Sequence, residues 1–255
     1  MSNKPAVIAI IQARMSSTRL PDKVLLDIAP GKTVLACMLE RVGKCKEIDK
    51  IIIATTENPK DQVLVEYLKA LGQPYFVGDE NDVLDRYYQA AKAHGAKTGD
   101  VIARMTSDCP IIDPRIVDET IRFYKDNNFD YASNSLEPYT YPDGMDIEVF
   151  SFDALEKAWK EATTPSHREH VTFFFWKNPD IFKIGQYVNS NKNQAGYRLT
   201  LDYPGDYELL KAVYQALYLK DPLFTMRDIL TFLDNNPDVK RLNTEVERNV
   251  SWKSA

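Results

Sequence analysis

Hydrophobic residues in the first half of the chain follow two alternating patterns. Short apolar runs rich in β-branched residues occupy positions 7–11 (VIAII), 50–55 (KIIIAT), 74–77 and 100–108 (DVIARMTSD), as buried strands require. Between them, apolar positions recur at helical spacing. Leu35, Met38, Leu39 and Val42 do so over 33–42, Val63, Leu64, Tyr67, Leu68 and Leu71 after Pro59, and Val83, Leu84, Tyr87, Tyr88 and Ala91 over 80–93. Pro59 suits a first helical turn, Gly72 can end that helix, and Asp113 with Pro114 opens another whose face is Ile116, Val117, Thr120, Ile121 and Tyr124. A strand is expected at 129–132. Continuously apolar strands separated by helices predict an α/β fold with a mostly parallel sheet and right-handed crossovers.

The regular alternation stops between 133 and 193, where the chain becomes rich in Tyr, Pro, Phe and Asn. We read that segment as an insertion within one domain spanning 1–255. It contains a Pro-Asp-Gly turn followed by an alternating strand with Asp146 and Glu148 on one side, and an aromatic run at 171–176 that suits either a core or a subunit contact. A strand at 197–201 and a helix from Pro204, burying Leu209, Leu210, Val213, Tyr214 and Leu217, resume the α/β pattern. Helical packing then continues through Ile229, Leu230 and Phe232.

Composition narrows the class. A 255-residue chain, 44% hydrophobic and 27% charged, can bury a sizeable core. A net charge of −5 argues against a nucleic-acid-binding surface, which needs clustered excess positive charge, so local cations must meet local anions. Cys37, Cys45 and Cys109 are too few and scattered for a disulfide framework and form no zinc-type pair. No apolar stretch approaches the roughly 20 residues that span a bilayer, and the first apolar run is too short for a signal peptide. A cytoplasmic protein with no membrane partner is expected.

The first strand breaks into a polar loop carrying Arg14, Ser16, Ser17, Thr18, Arg19 and Lys23. Arginine forks and a lysine point charge suit a polyphosphate. The loop lacks glycine, so it is neither a P-loop nor a dinucleotide-binding turn. Asp108 lies near the carboxyl end of its strand, the edge where open α/β sheets place ligands, and a carboxylate there suits Mg²⁺ or a turn cap before Pro110. Asp82 and Arg86 could serve a site or simply pair along a helix. Arg104 could contact phosphate or an acid. His167 and His170 lack a third placed ligand for zinc, and Arg168 between them suits an acceptor carboxylate or phosphate.

The order of these segments changes their weight. Q-A-R-M-S-S-T-R-L-P-D-K-V-L resembles the opening loop of the cytidylyltransferases that include the CMP-sialate and CMP-Kdo synthetases, and is most similar to the spore-coat polysaccharide biosynthesis branch, which usually has Gly where Asp22 stands. D-V-L-D-R-Y-Y, T-S-D-C-P-I-I-D-P, P-D-G-M-D-I-E-V-F and T-L-D-Y-P-G-D-Y resemble further segments of that branch, in the same order. The resemblance implies a Rossmann-like three-layer α/β/α nucleotidyltransferase fold and transfer of CMP from CTP to a sugar acid or related hydroxy acceptor, with release of pyrophosphate. It implies that Arg14, Arg19 and Lys23 hold the phosphates, and that Asp108 and Asp202 hold Mg²⁺. Gln12, Ala13, Asp82, Arg86 and Arg104 would join the nucleotide site. Asp146, Glu148, Arg168 and His170 would meet the acceptor, 133–193 would complete the acceptor pocket and subunit contact, and the chain would act as a homodimer in surface polysaccharide or glycan biosynthesis.

Two rivals stay open from the residues alone. A metal-dependent glycosyltransferase also joins a nucleotide-binding α/β fold to carboxylates, and a non-catalytic nucleotide-binding subunit would keep the fold without turnover.

Overall fold

The computed structural model describes residues 4–244, Val246 and Arg248. Seven strands form one sheet: β1 (Val7–Gln12), β4 (Lys50–Thr56), β5 (Tyr75–Gly78), β6 (Val101–Thr106), β7 (Tyr131–Ser133), β8 (Glu148–Ser151) and β9 (Ile184–Gln186), in the order β5-β4-β1-β6-β8-β7-β9. A separate two-stranded ribbon, β2 (Asp27–Ala29) and β3 (Lys32–Thr33), follows the first loop. β5, β4, β1 and β6 are parallel, β8 runs antiparallel to both its neighbours, and β9 lies parallel to β7.

The continuous apolar runs are explained by cover on both faces. Val7, Ala9 and Ile11 of β1 pack in one core with Leu35, Met38, Leu64, Leu68, Val117 and Ile121. These come from α1 (Val34–Val42), α2 (Gln62–Ala70) and α4 (Pro114–Asn127). Ile8 and Ile10 pack in the other core with Leu84 and Tyr87 of α3 (Val83–Ala93) and Leu155 of α5 (Phe152–Glu161). Each fully buried Ile or Leu contributes about 1.5–3 kcal/mol of transfer free energy, so the two-sided strand is the energetic centre of the fold. After α6 (Pro165–Glu169) and α7 (Phe173–Trp176), a third core joins α8 (Pro204–Leu217) and α9 (Met226–Asn235) to Ile28 and Val34.

Several sequence expectations need correction. Val63 and Leu71 lie exposed rather than on the buried face of α2. The 197–201 stretch is extended but forms no strand beyond one bridge between Arg198 and Asp143, because its neighbour is a turn rather than a free sheet edge. Of the two readings of the 171–176 run, the core holds for 171–175, since Val171, Phe173, Phe174 and Phe175 are all buried within the chain. The His167 and His170 rings pack on Phe174 and Phe173.

Candidate active site

The sheet's carboxyl edge places the loop after β1 over a cleft of about 540 Å³. That loop is held from beneath by Asp61, which is fully buried at the entry to α2. It accepts from the Met15 N–H at 2.6 Å and from the Thr56 hydroxyl. Asp22 closes the loop with φ +57°, a left-handed conformation that favours Gly, Asn or Asp. Arg14, Ser16, Ser17, Thr18, Arg19 and Lys23 then line one end of the cleft, with Gln12 and Ala13 at its floor.

Two carboxylates converge on Lys23. Its ammonium donates to Asp202 Oδ1 at 2.9 Å, to Asp108 Oδ2 at 3.3 Å and to the Leu201 carbonyl at 2.7 Å. Backbone bonds fix this meeting: the Asp108 carbonyl accepts from the Leu201 N–H at 2.8 Å and from the Thr200 hydroxyl at 3.1 Å. Arg19 Nη2 stands 2.8 Å from Asp202 Oδ1. Burial alone would raise the Asp202 carboxyl, but Lys23 and Arg19 outweigh it and bring it down to about 2. Burial disfavours the Lys23 ammonium, and Asp108 and Asp202 more than compensate, so its pKa lies above the usual lysine value. Cys109, buried beside Asp108, has its thiol pushed well up by burial and that carboxylate, which removes it as a nucleophile at neutral pH.

The other end is walled by acids that already have partners. Arg104 pairs with Glu148 and donates to Gln12 Oε1 at 3.2 Å, while the Tyr131 hydroxyl donates to Glu148 Oε1 at 2.6 Å. Arg198 donates to Asp143 at 2.9 Å, to both oxygens of Asp206 at 2.9 and 3.0 Å, and to Asp202 Oδ2 at 3.2 Å. Arg248 reaches Asp146 at 2.6 Å. Burial and the neighbouring Asp146 push the Asp143 carboxyl up to about 7 against the pull of Arg248 and Arg198. Asp146 is raised for the same first reason, again against Arg248.

Gly144 (φ +98°) brings the Asp143 turn against the 197–201 segment. A Cβ there would lie 2.4 Å from the Leu199 carbonyl carbon. The Leu199 N–H donates to the Asp143 carbonyl at 2.7 Å, which seats Asp143 on Arg198.

Of the residues singled out from the sequence, Gln12, Ala13, Arg14, Arg19, Lys23, Arg86, Arg104, Asp108, Asp146, Glu148, His170 and Asp202 line this cleft. Asp82 and Arg168 are brought together elsewhere. Arg168 donates Nε and Nη2 to Asp82 Oδ2 at 2.9 and 2.5 Å, so the two neutralise each other across α3 and α6. Asp82 does not pair with Arg86, whose Nη1 donates instead to the Asp79 and Glu80 carbonyls at 2.5 and 3.2 Å. Sequence reasoning missed Arg198, Asp143 and Glu80. The alternation Arg198, Thr200, Asp202 was a signal for the first, since those positions share one side of an extended segment. Glu80 pins the loop by accepting from Ser16 at 2.9 Å and Asn58 at 2.7 Å. Among the described residues, no group of three or more His, Cys, Asp or Glu forms a ready cation cage. No helix among them is long and apolar enough to cross a membrane.

Comparison with known proteins bears on what such a cleft does. An uncharacterised protein from Methanocaldococcus jannaschii is 40% identical over 244 residues, covering 95% of this chain and 96% of its own. The spore coat polysaccharide biosynthesis protein SpsF of Bacillus subtilis is 32% identical over 239 residues, 91% of this chain and 95% of that protein. A solved cytidylyltransferase from Leptospira borgpetersenii superposes with a TM-score of 0.86 at 34% identity, covering 96% of this chain and all of its own. A family model for cytidylyltransferases matches residues 8–223, a span that contains the cationic loop and both carboxylates meeting at Lys23, and the chain therefore belongs to the cytidylyltransferase family.

Proposed function

We propose that this nucleotidyltransferase moves the CMP group of CTP to a hydroxyl of a sugar acid or related hydroxy acceptor, in the building of a surface polysaccharide or glycan. The observation that carries the reading is the convergence of Arg19 and Lys23 with Asp108 and Asp202 at one end of a cleft on the sheet's carboxyl edge. The acceptor oxygen forms a bond to the α-phosphorus, the bond from that phosphorus to the bridging oxygen breaks, and pyrophosphate leaves. The hydroxyl proton passes to water. Arg14, Arg19 and Lys23 hold the phosphate oxygens and stabilise the charge that grows on the leaving pyrophosphate, a term worth about 10²–10³ in rate per well-placed donor. The held geometry supplies the alignment of attack.

Asp108 and Asp202 are the residues that would hold Mg²⁺. They offer hard carboxylate oxygens, and the reading is supported by the Lys23 ammonium, which donates to both of them. When bound, the ion neutralises negative charge on the phosphates.

The test is product analysis with CTP, Mg²⁺ and a panel of hydroxy acceptors. Pyrophosphate and a CMP conjugate support the reading. Release of a nucleoside diphosphate from a nucleotide sugar would replace it with glycosyl transfer.

A further inference from the structure

The loop after β1 carries the cations Arg14, Arg19 and Lys23, and each faces a carboxylate of the chain. Arg14 Nη1 lies 3.7 Å from Glu80, Arg19 Nη2 lies 2.8 Å from Asp202, and the Lys23 ammonium meets Asp108 and Asp202 together. The two arginine side chains are about half exposed, whereas Lys23 is nearly buried. An ammonium has three N–H donors. Those of Lys23 go to Asp202 Oδ1, Asp108 Oδ2 and the Leu201 carbonyl, so none is left over for a phosphate oxygen.

The carboxylate oxygens that Lys23 takes are those a bridging cation would need. Asp108 Oδ1 is turned to the Thr106 hydroxyl at 2.5 Å and the Cys109 thiol at 3.6 Å, and Asp202 Oδ2 accepts from Arg198 at 3.2 Å. That leaves Asp108 Oδ2 and Asp202 Oδ1, and the Lys23 Nζ atom lies on both. Asp202 Oδ1 also meets Arg19, so both its lone pairs are engaged. Ligation to Mg²⁺ brings a carboxylate oxygen to about 2.1 Å from a dication. An ammonium bonded to the same two oxygens would stand against that charge with little water between them, where repulsion is weakly screened. The ammonium and the ion therefore exclude each other.

We propose that Lys23 holds the metal position and is exchanged for the metal. A divalent cation enters between Asp108 and Asp202 as the triphosphate draws Lys23, and Arg19 with it, onto its phosphate oxygens. Metal and triphosphate then strengthen each other's binding, since each removes the partner that blocks the other, and linkage makes the gain equal in both directions. The identity of the nucleotide rests on the cytidylyl-transfer reading above, whereas the competition between Lys23 and the metal does not.

The first test titrates the full chain with Mn²⁺, without nucleotide, and follows the free ion by electron paramagnetic resonance. Lys23→Met and Lys23→Gln should each bind Mn²⁺ at least about tenfold more tightly than the parent. Adding Asp108→Asn to Lys23→Met should remove that gain, which places the ion at this pair of carboxylates. Circular dichroism checks that each variant is folded. A second measurement leaves Lys23 in place and uses CTP in EDTA. Asp108→Asn should bind CTP at least about fivefold more tightly than the parent, because one carboxylate no longer competes for the ammonium. The same substitution in Lys23→Met should bring no such gain. Equal Mn²⁺ affinity in the parent and both lysine variants overturns the proposal, as does a measurable CTP affinity in EDTA that Asp108→Asn fails to raise. If the Mn²⁺ results hold but CTP binds none of these proteins with or without metal, the competition stands and the function reading falls.

Discussion

Lys23 donates to Asp202 at 2.9 Å across 179 positions of sequence. The contact joins the loop after the first strand to an extended segment just before α8, and Asp108 completes it from the end of β6. A loop cation and two carboxylates from distant segments thus neutralise one another at one point. Removing either sign should therefore expose the other.

Lys23→Met should reduce kcat/KM for pyrophosphate release by about 10²–10³-fold, since the proposed reaction uses Lys23 as a donor to the leaving group. Steady-state kinetics with CTP checks this. A loss under fivefold would exclude Lys23 from the phosphate site.

Asp108→Asn and Asp202→Asn should both abolish turnover, but they should differ in stability. The Asp108 side chain is a quarter exposed, whereas Asp202 is the shared anchor of Arg19, Lys23 and Arg198. Urea denaturation should show Asp202→Asn losing more than Asp108→Asn, by about 1–3 kcal/mol.

The acid limb of stability should report the same anchor. Asp202 is held at about 2 in the folded chain, below its ordinary value of 3.8. A depressed carboxyl contributes stability that is present above about pH 4 and is lost as pH falls toward 2, here on the order of 2 kcal/mol. The stability gap between the parent and Asp202→Asn should accordingly narrow between pH 6 and pH 3. A constant gap would mean that the ionised carboxylate is not what holds the contact.

Gly144→Ala should destabilise the chain by more than about 2 kcal/mol, because its Cβ would meet the Leu199 carbonyl carbon at 2.4 Å in a backbone region that L-residues avoid. A partly folded variant should keep CTP-dependent stabilisation while losing acceptor response, since the turn seats Asp143 rather than the phosphate loop.

Arg168→Ala should lower stability by about 1 kcal/mol and leave the acceptor KM within twofold. Thermal denaturation and acceptor kinetics separate these. A large rise in KM would restore Arg168 to the substrate site in place of its structural pairing with Asp82.

The sheet was legible because strands covered on both faces must be mostly apolar, and β1, β4 and β6 are, apart from Arg104 and their polar end residues. That the cations after β1 and the carboxylates Asp108 and Asp202 line one cleft was legible because strand ends, cations and carboxylates mark themselves by residue type. What escaped were relationships that residue type does not specify. Arg168 had the chemistry for a ligand but meets Asp82, 86 positions away, once α6 lies beside α3. Residues 197–201 alternate like a strand, yet their neighbour is the Asp143 turn, so the pattern records a one-sided wall instead. The Arg198 network was only partly visible: Asp202 and Asp206 lie 4 and 8 positions on, but Asp143 comes from a turn 55 positions away that only the folded chain brings alongside.

The central claim is that Arg19, Lys23, Asp108 and Asp202 form a CTP site that uses Mg²⁺. The most direct measurement is the thermal shift of the parent chain and Lys23→Met with CTP, UTP, ATP and GTP, each with and without Mg²⁺, since specific binding stabilises the folded state by mass action. A CTP-selective rise that requires Mg²⁺ and disappears in Lys23→Met is the expected result. Equal shifts for all four nucleotides, or an undiminished CTP shift in Lys23→Met, would contradict it.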